Sequence, residues 1–208
     1  MFPRLYAILD SDALARRRLR PLEVLDIWLD VGVRLVQLRA KRMPSGQMLA
    51  LADDMAARCH RAGATFVVND RADVARLSGA DGVHVGQDDL DPDRLRQTWP
   101  QATVIGLSTH NEAQVRVACE RPISYLAIGP IVATTSKDRP DPVVGLDGVR
   151  MAASYALPRK LPVVAIGGIT LERVPDVLAA GASSVAIISD LLAGDVATRA
   201  REFLDAAE

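Results

Sequence analysis

The sequence is poor in aromatic residues and cysteines, and its positive and negative charges almost cancel. Phe, Trp and Tyr together make up 4% of the 208 residues, so Ala, Val, Leu and Ile must supply most of the core packing. Cys59 and Cys119 lie far apart and form no Cys-x-x-Cys pair, which argues against a metal cluster and a disulfide framework. A formal net charge of −1 argues against a nucleic-acid-binding surface.

Long apolar runs and targeting signals are missing as well. No apolar stretch approaches the length that spans a membrane. The N-terminal segment MFPRLYAILD reaches an acidic residue at Asp10 and lacks the layout of a signal peptide. These absences predict a cytoplasmic protein with no membrane or nucleic-acid partner, and they leave homo-oligomerisation open.

The sequence does contain a regular alternation of apolar runs and helix-like stretches. Apolar residues make up 49% of the chain, enough to bury a substantial core. Strand-like runs recur about every 20 to 30 residues, which is the spacing of repeated βα units. The eight predicted strands are Leu5–Leu9, Leu35–Arg39, Thr65–Asn69, Gly82–Val85, Thr103–Leu107, Ser124–Ile128, Pro162–Ile166 and Ser184–Ile188.

Helices are predicted between these strands. Their expected first residues are Pro21, Ser45, Arg71, Asp91, Asn111, Leu146, Leu171 and Leu191. A chain of 208 residues is near the lower limit for one barrel and too short for two full α/β domains. We therefore predict an α/β fold, a single (β/α)8 TIM barrel, formed by one domain spanning residues 1–208.

Six of the apolar runs end in charged, amide or hydroxyl residues. The segments are VQLRAK, FVVNDR, HVGQDD, GLSTH, GPIVATTSK and VAIGGIT. The carboxyl ends of barrel strands carry the active site in this fold. Together the segments hold cations, carboxylates and hydroxyls but no obvious nucleophile, a composition that suits a site for phosphates and a divalent metal.

Strand alternation places Gln37, Arg39 and Lys41 on the same side of their strand, running from the barrel interior to its rim. A buried amide or guanidinium is destabilising by several kcal/mol unless it is partnered. A bound anion would partner them. The alternative is a strand end whose cations pair with a neighbouring carboxylate.

Two carboxylates end neighbouring strands. Asp70 follows the third strand and Asp89 the fourth, so adjacent loops can bring them over one spot, where Mg²⁺ favours one or two carboxylates plus phosphate oxygens and waters. Alternatively, Asp70 caps the helix beginning at Arg71, and Asp88, Asp89 and Asp91 complement the dipole of the next helix. Asp88 is expected to face solvent.

Neither of the two histidines near strand ends is predicted to be a catalytic residue or a ligand. His84 lies within a strand, which is typical of a hydrogen-bonded core residue rather than a ligand. His110 stands at the mouth without a partnered base or nucleophile, so catalysis is the weaker interpretation of this residue.

The last loops of the chain favour phosphate binding. Gly167 and Gly168 follow the seventh strand, and Ile188 and Ser189 end the eighth, where barrels bind phosphate through backbone amides. A tight turn is the alternative. The irregular stretch 132–145, VATTSKDRPDPVVG, is interpreted as a lid over the mouth, with an exposed surface loop as the alternative.

Taken together, VQLRAK, VVNDR, ADGVHVGQDD, VIGLSTH and GPIVATTSK resemble the thiamine-phosphate synthase (thiamine-phosphate pyrophosphorylase) family, and the resemblance runs from LYAILD to GASSVAIISDL. It implies a transferase that uses two small-molecule substrates and Mg²⁺. The enzyme would condense 4-amino-2-methyl-5-(diphosphooxymethyl)pyrimidine with a thiazole phosphate by a dissociative substitution, giving thiamine phosphate and pyrophosphate.

The resemblance also implies roles for individual residues. The pyrimidine diphosphate would be held by Gln37, Arg39, Lys41, Asn69, Ser108 and Lys137. The thiazole phosphate would be held by Thr134, Ser136, Gly168, Ile188 and Ser189. Asp70 and Asp89 would bind Mg²⁺, and the catalytic residues would be Arg39, Lys41, Ser108 and Lys137. Two positions depart from the family pattern, since Ala133 replaces a proline and Ser136 replaces a threonine.

Three other functions remain as alternatives. A thiazole tautomerase-like isomerase would have a histidine where this chain has Pro130, and would lack the NDR and HVGQDD groups. A non-catalytic thiamine-related binding barrel is opposed only by the intact set of charged residues. A sugar-phosphate isomerase or epimerase would need an evident acid–base pair, and none can be assembled from the sequence.

Overall fold

The computed structural model describes residues 2–133 and 141–208. Its eight strands are β1 Leu5–Asp10, β2 Leu35–Arg39, β3 Thr65–Asn69, β4 Gly82–Val85, β5 Val104–Thr109, β6 Tyr125–Ile128, β7 Val163–Ile166 and β8 Ser184–Ile187. All pair in parallel in chain order, and β8 pairs with β1, so the barrel is closed. The predicted (β/α)8 architecture is confirmed.

Helices cover the outside of this barrel. In the described residues they are α1 Ser11–Arg17, α2 Pro21–Asp30, α3 Ser45–Arg61, α4 Ala72–Leu77, α5 Pro92–Thr98, α6 Glu112–Ala118, α7 Gly145–Ala156, α8 Val174–Ala179 and α9 Val196–Ala206. Short 3-10 helices lie at Leu157–Arg159, Leu171–Arg173 and Asp190–Leu192. None of the helices in the described ranges is long and apolar enough to cross a membrane.

Several strand ends differ from the predicted ones by one or two residues, and α8 begins at Val174 rather than Leu171. The largest corrections are at two other places. Helix α1 was not expected; it forms because the Asp10 side chain accepts a hydrogen bond from the backbone N–H of Ala13, which caps a helix directly after β1. The last helix begins at Val196 rather than Leu191. Gly194 has a positive φ of 63° that ends the preceding turn, and the Asp195 carboxylate then caps α9 by accepting from the Thr198 amide.

Strand alternation divides the core into two layers. Outward-facing residues such as Leu38 and Phe66 pack against helix residues such as Trp28 and Phe203. Inward-facing residues form a separate cluster inside the barrel: Tyr6, Ile8, Leu35, Val67, Tyr125, Ala127, Val164 and Ala186. Both faces of the strands are buried, as expected for a parallel sheet covered by helices. The interior cluster closes the barrel below and leaves its carboxyl end to form a site.

Candidate active site

The carboxyl ends of the strands surround a cavity of about 900 Å³. Ten residues singled out from the sequence line it: Gln37, Arg39, Lys41, Asn69, Asp70, Asp89, Ser108, Gly168, Ile188 and Ser189. Three others, Thr134, Ser136 and Lys137, lie outside the described residues. The barrel therefore brings the described members of the predicted site to one place, although their chemical roles remain predictions.

The inward side chains of β2 already have protein partners. Gln37 is buried and donates from Nε2 to the Tyr6 hydroxyl over 2.8 Å. Arg39 forms an ion pair with the buried carboxylate of Asp10, a partner that the sequence pattern did not identify. A bound anion is thus not needed to satisfy Arg39, and its predicted contact with a substrate anion stays a prediction. Because Arg39 still lines the cavity, one cation–carboxylate pair is placed at the wall of the site.

Lys41, Asp70 and Asp89 form a charged group at the rim. The Lys41 ammonium lies 3.3 Å from Asp70 Oδ2. Burial raises the pKa of Asp70; the Lys41 charge acts against this shift, and the nearby Asp89 carboxylate adds to it. Asp70 also adopts a positive φ of 63°, which is uncommon outside glycine and is often found at functional sites. Two carboxylates held this close repel each other unless a cation lies between them.

Helix capping does not explain either carboxylate. The N-cap of α4 is Arg71, without a side-chain cap, and the cap of α5 is Asp91, which accepts from the Asp93 amide over 2.9 Å. One oxygen of Asp89, Oδ2, accepts from the Gly86 amide over 2.8 Å and shapes its own turn. The Asp89 side chain also interacts with the Asp70 carboxyl and helps to raise its pKa. Asp88 is exposed, as expected.

The donor set around these carboxylates fits Mg²⁺ better than a transition metal. Among the residues that the structure describes, no group of three or more His, Cys, Asp and Glu side chains could hold a metal ion. Mg²⁺ retains several waters and commonly binds one or two carboxylates together with substrate phosphates. Asp70 and Asp89 match that requirement, with the remaining ligands to come from substrate and water.

The opposite side of the mouth is formed mainly by backbone. Gly167 and Gly168 have positive φ values of 98° and 68°, and a Cβ on Gly168 would lie 2.8 Å from the carbonyl oxygens of Val132 and Ala133. The loop after β7 is therefore pressed against the loop after β6. Ser189 follows β8, and its carbonyl accepts from Arg17 Nη2 over 3.3 Å. Arg17, on the unexpected helix α1, was missed as a cavity residue.

His110 connects the ends of two strands. Its Nδ1 donates to the Gly129 carbonyl over 2.7 Å, and its Nε2 lies 3.5 Å from Asp141 Oδ2. Asp141 follows the segment 134–140, which contains half of the predicted lid and lies outside the described residues. The Val132 amide donates to the Gly167 carbonyl and the Val144 amide to the Pro130 carbonyl, so both ends of this loop are attached at the mouth.

The interior below the cavity contains polar residues that the sequence analysis left aside. His84 is buried and hydrogen-bonded through both ring nitrogens, as expected for a core histidine, but it also lines the cavity. Its partners are the Tyr125 hydroxyl and Ser108 Oγ. The alternation of Val83 and Val85 facing the helices with His84 facing inward was a signal that could have placed His84 in the site.

Known proteins resemble this chain over almost its full length. Residues 5–191 match the profile of a family described as thiamine monophosphate synthase. A thiamine-phosphate synthase from Koribacter versatilis is 47% identical over 204 residues, which cover 97% of this chain and 94% of the relative. Another, from Acidothermus cellulolyticus, is 43% identical over 203 residues, covering 96% and 92%.

Solved structures agree with the sequence relatives. The structure of a thiamine phosphate pyrophosphorylase from Pyrococcus furiosus superposes with a TM-score of 0.86 at 30% identity, covering 98% of this chain and 95% of that one. A 3-hexulose-6-phosphate synthase reaches a TM-score of 0.69 at 16% identity, which shows a shared fold and no more. The profile match, the identities and the coverage establish that the chain belongs to the thiamine monophosphate synthase family.

Proposed function

We propose that the chain is a thiamine-phosphate synthase that joins an aminopyrimidine diphosphate to a thiazole phosphate and releases pyrophosphate. The observation that carries this proposal is the division of one cavity into two unlike halves. Charged side chains from β2, β3 and the loop after β4 line one half, and backbone from the loops after β7 and β8 lines the other. Each half suits one of the two phosphorylated substrates.

The charged half would bind the diphosphate. Lys41 and Arg39 are the cations on that side, and each is held by a carboxylate that keeps it in place before substrate arrives. A diphosphate would draw the Lys41 ammonium away from Asp70 and leave both rim carboxylates to a metal ion. The charges are therefore prearranged for a leaving group whose negative charge grows as its bond breaks.

Mg²⁺ would be held by Asp70 and Asp89, and when bound it would supply charge neutralisation to the departing pyrophosphate. The remaining contribution of the chain is to hold two fragments in line. Carbon–oxygen bond cleavage would be driven by the amino group of the pyrimidine ring, and the thiazole nitrogen would then attack the electron-poor carbon. No protein nucleophile is required for this sequence of steps, which agrees with the residues that line the cavity.

The backbone half would bind the thiazole phosphate. Gly168 and Ser189 lie in the two loops where barrels of this type bind phosphate through backbone amides. The Arg17 guanidinium lies beside Ser189, and none of the ion pairs found among the described residues involves it. We infer that Arg17 adds positive charge to this phosphate site.

The decisive experiment mixes the purified protein with both substrates, with and without Mg²⁺, and measures thiamine phosphate and pyrophosphate together. We expect equal amounts of both products, formed only when both substrates and Mg²⁺ are present. Pyrophosphate release without the thiazole phosphate would indicate a hydrolase. Conversion of a thiazole phosphate alone would favour a tautomerase-like isomerase, and binding of both substrates without turnover would favour a binding barrel.

A further inference from the structure

Five polar side chains form a continuous hydrogen-bonded chain across the floor of the cavity. Gln37 Nε2 donates to the Tyr6 hydroxyl over 2.8 Å, and the Tyr6 and Tyr125 hydroxyls lie 3.0 Å apart. The Tyr125 hydroxyl lies 2.8 Å from His84 Nδ1, and His84 Nε2 lies 2.8 Å from Ser108 Oγ. The chain, here named the floor relay, links five different strands.

The floor relay is held rigidly by its packing. Tyr6 and Tyr125 are at most 1% exposed, and their rings meet edge to face with centroids 5.8 Å apart. The His84 ring stacks on Tyr125 with an interplanar angle of 16°. A Cβ at Gly106 would lie 2.3 Å from the Tyr125 hydroxyl and 2.6 Å from His84 Nδ1, so only glycine leaves room for this hydrogen bond.

The direction of each hydrogen bond in the floor relay can be worked out from Gln37, the residue at one end. Gln37 donates to Tyr6, and the other partner found for the Tyr6 hydroxyl among the described residues is Tyr125, so the buried Tyr6 proton has an acceptor only if it points to Tyr125. For the same reason, the Tyr125 hydroxyl, which accepts from Tyr6, gives its own proton an acceptor by donating to His84 Nδ1. Burial raises the pKa of both phenols far above neutral, so both keep these protons. Because Nδ1 accepts, the proton of neutral His84 lies on Nε2 and is donated to Ser108.

Ser108 is the last member of the floor relay and carries the hydroxyl that can donate to a ligand. Its Oγ accepts from His84, so its hydroxyl proton is left to point elsewhere, and no acceptor for that proton occurs among the described parts of the chain. Ser108 lines the cavity. At the other end, Gln37 uses its N–H on Tyr6 and keeps its carbonyl oxygen as an acceptor. The floor relay thus presents an acceptor at one end and a donor at the other.

We propose that the floor relay holds His84 as the neutral Nε2–H tautomer and thereby fixes Ser108 as a hydrogen-bond donor toward the aminopyrimidine ring. A ring with an amino donor and a ring-nitrogen acceptor is complementary to the Gln37 carbonyl and the Ser108 hydroxyl. Tyr6, Tyr125 and His84 are positioning residues in this scheme. The inference rests on the proposed function for its substrate, but the tautomer itself can be measured without turnover.

The first test is nitrogen NMR of the ligand-free protein. The chain has three histidines, so variants at His60 and His110 identify the His84 signals. We expect an unprotonated Nδ1 and a protonated Nε2 in the wild type. In Tyr125→Phe the constraint on Nδ1 is removed, and the Nδ1–H form should appear. A wild-type His84 with a proton on Nδ1, or on both nitrogens, would overturn the proposal whatever the protein catalyses.

The second test compares the three tyrosine variants in the complete assay. Tyr6→Phe and Tyr125→Phe each interrupt the floor relay, whereas Tyr155→Phe removes an exposed hydroxyl that donates to Glu112 on the outside of the barrel. We expect KM for the pyrimidine substrate to rise roughly ten- to hundredfold in the first two variants, since a buried hydrogen bond loses its partner. In these two variants, KM for the thiazole phosphate should stay within about twofold of the wild-type value. In Tyr155→Phe, the KM values for both substrates should stay within about twofold of wild type.

Two substitutions at His84 test which of its ring nitrogens matters more for binding of the pyrimidine substrate. His84→Gln keeps a donor near the position of Nε2, and His84→Asn keeps an amide near the position of Nδ1. If the donor to Ser108 matters most, His84→Gln should retain a lower pyrimidine KM than His84→Asn. If both variants fold and their pyrimidine KM values are equal, or if that of His84→Asn is the lower one, the assigned role of His84 Nε2 as the donor to Ser108 is wrong. Thermal unfolding identifies any variant that fails to fold, and the remaining variants still decide the question.

Discussion

The two halves of the cavity differ in the groups that they present to a ligand. The half formed by β2, β3 and the loop after β4 uses side chains whose charges are already paired, as in Arg39 with Asp10 and Lys41 with Asp70. The half formed by the loops after β7 and β8 uses backbone shaped by Gly167 and Gly168. The charged half should therefore be sensitive to loss of charge, and the backbone half to added volume.

The largest expected effect is in the charged half. Asp89→Asn keeps the hydrogen bond from the Gly86 amide within reach but removes a charge from the proposed Mg²⁺ site. We expect folding to be intact and kcat to fall roughly 100- to 1000-fold, as for removal of other preorganised electrostatic groups, or about 3 to 4 kcal/mol. Activity assays across a Mg²⁺ titration measure this loss.

The matched variant for this prediction is Asp88→Asn on the same loop. Asp88 also lines the cavity, but it is exposed and no hydrogen bond or ion pair was found for it in the described ranges, so its loss should change kcat by less than about tenfold. Equal losses in both variants would mean that the overall charge of the loop, rather than a ligand at Asp89, determines activity.

The backbone half should respond to volume. Gly168→Ala places a Cβ 2.8 Å from two carbonyl oxygens and keeps a positive φ of 68°. The strain alone is worth about 1 to 2 kcal/mol of unfolding free energy. We expect KM for the thiazole phosphate to rise roughly tenfold or more as the loop shifts, with the pyrimidine KM nearly unchanged. Steady-state kinetics with each substrate varied in turn separate these constants.

Gly79→Ala is the control for backbone strain. Gly79 has a similar φ of 69°, but a Cβ there would meet nothing within 4 Å. It lies between α4 and β4, at the end of the barrel remote from the cavity. We expect Gly79→Ala to lower the free energy of unfolding by the same 1 to 2 kcal/mol, roughly, and to leave KM for the thiazole phosphate unchanged. A comparable rise in the thiazole KM would show that general destabilisation, and not the phosphate loop, underlies the Gly168 result.

A smaller effect is expected at Arg17, the side-chain cation of the backbone half. Arg17→Ala should raise KM for the thiazole phosphate roughly three- to tenfold, and the effect should shrink at high salt because the side chain is exposed. Arg16→Ala removes the preceding exposed arginine, which is not among the described residues that line the cavity. If Arg16→Ala has an equal effect, Arg17 acts only through long-range attraction.

The smallest expected effect concerns stability at the metal site. The pKa of Asp70 is raised in the folded state, mainly by burial, so its ionised form opposes folding as pH rises through that pKa. Asp70→Asn should therefore leave the metal-free protein equally stable or stabilise it by up to about 1 kcal/mol at pH 7. Asparagine tolerates the positive φ of this position.

The gain in Asp70→Asn should vanish in acid, below the ordinary pKa of an aspartate, where both proteins carry a neutral group. Denaturant unfolding at pH 7 and in acid measures it. Since Mg²⁺ must displace the proton, wild-type affinity for Mg²⁺ should increase with pH through the raised pKa. A clear destabilisation of the metal-free variant at pH 7 would mean that the Lys41–Asp70 ion pair outweighs the burial of the carboxylate.

Much of the architecture was predictable because its signals are local. The strands Leu35–Arg39, Thr65–Asn69 and Gly82–Val85 have the predicted bounds, since each apolar run ends where polar residues begin. Helix α1 was not predictable in the same way. It depends on the Asp10 carboxylate, which caps the helix through one oxygen and binds Arg39 through the other.

The amino-acid order alone determined the number and sequence of strands, the side of each strand that faces inward, and hence many of the strand-end residues around the mouth, although not Arg17. Those properties follow from alternation along the chain and from the closure of parallel strands. Only the tertiary structure decided which side chains form hydrogen bonds and ion pairs with one another. Tyr6 and Tyr125 are 119 positions apart, and Arg17 and Ser189 are 172 apart. Pairings at such separations are set by strand register and packing, which no local pattern records.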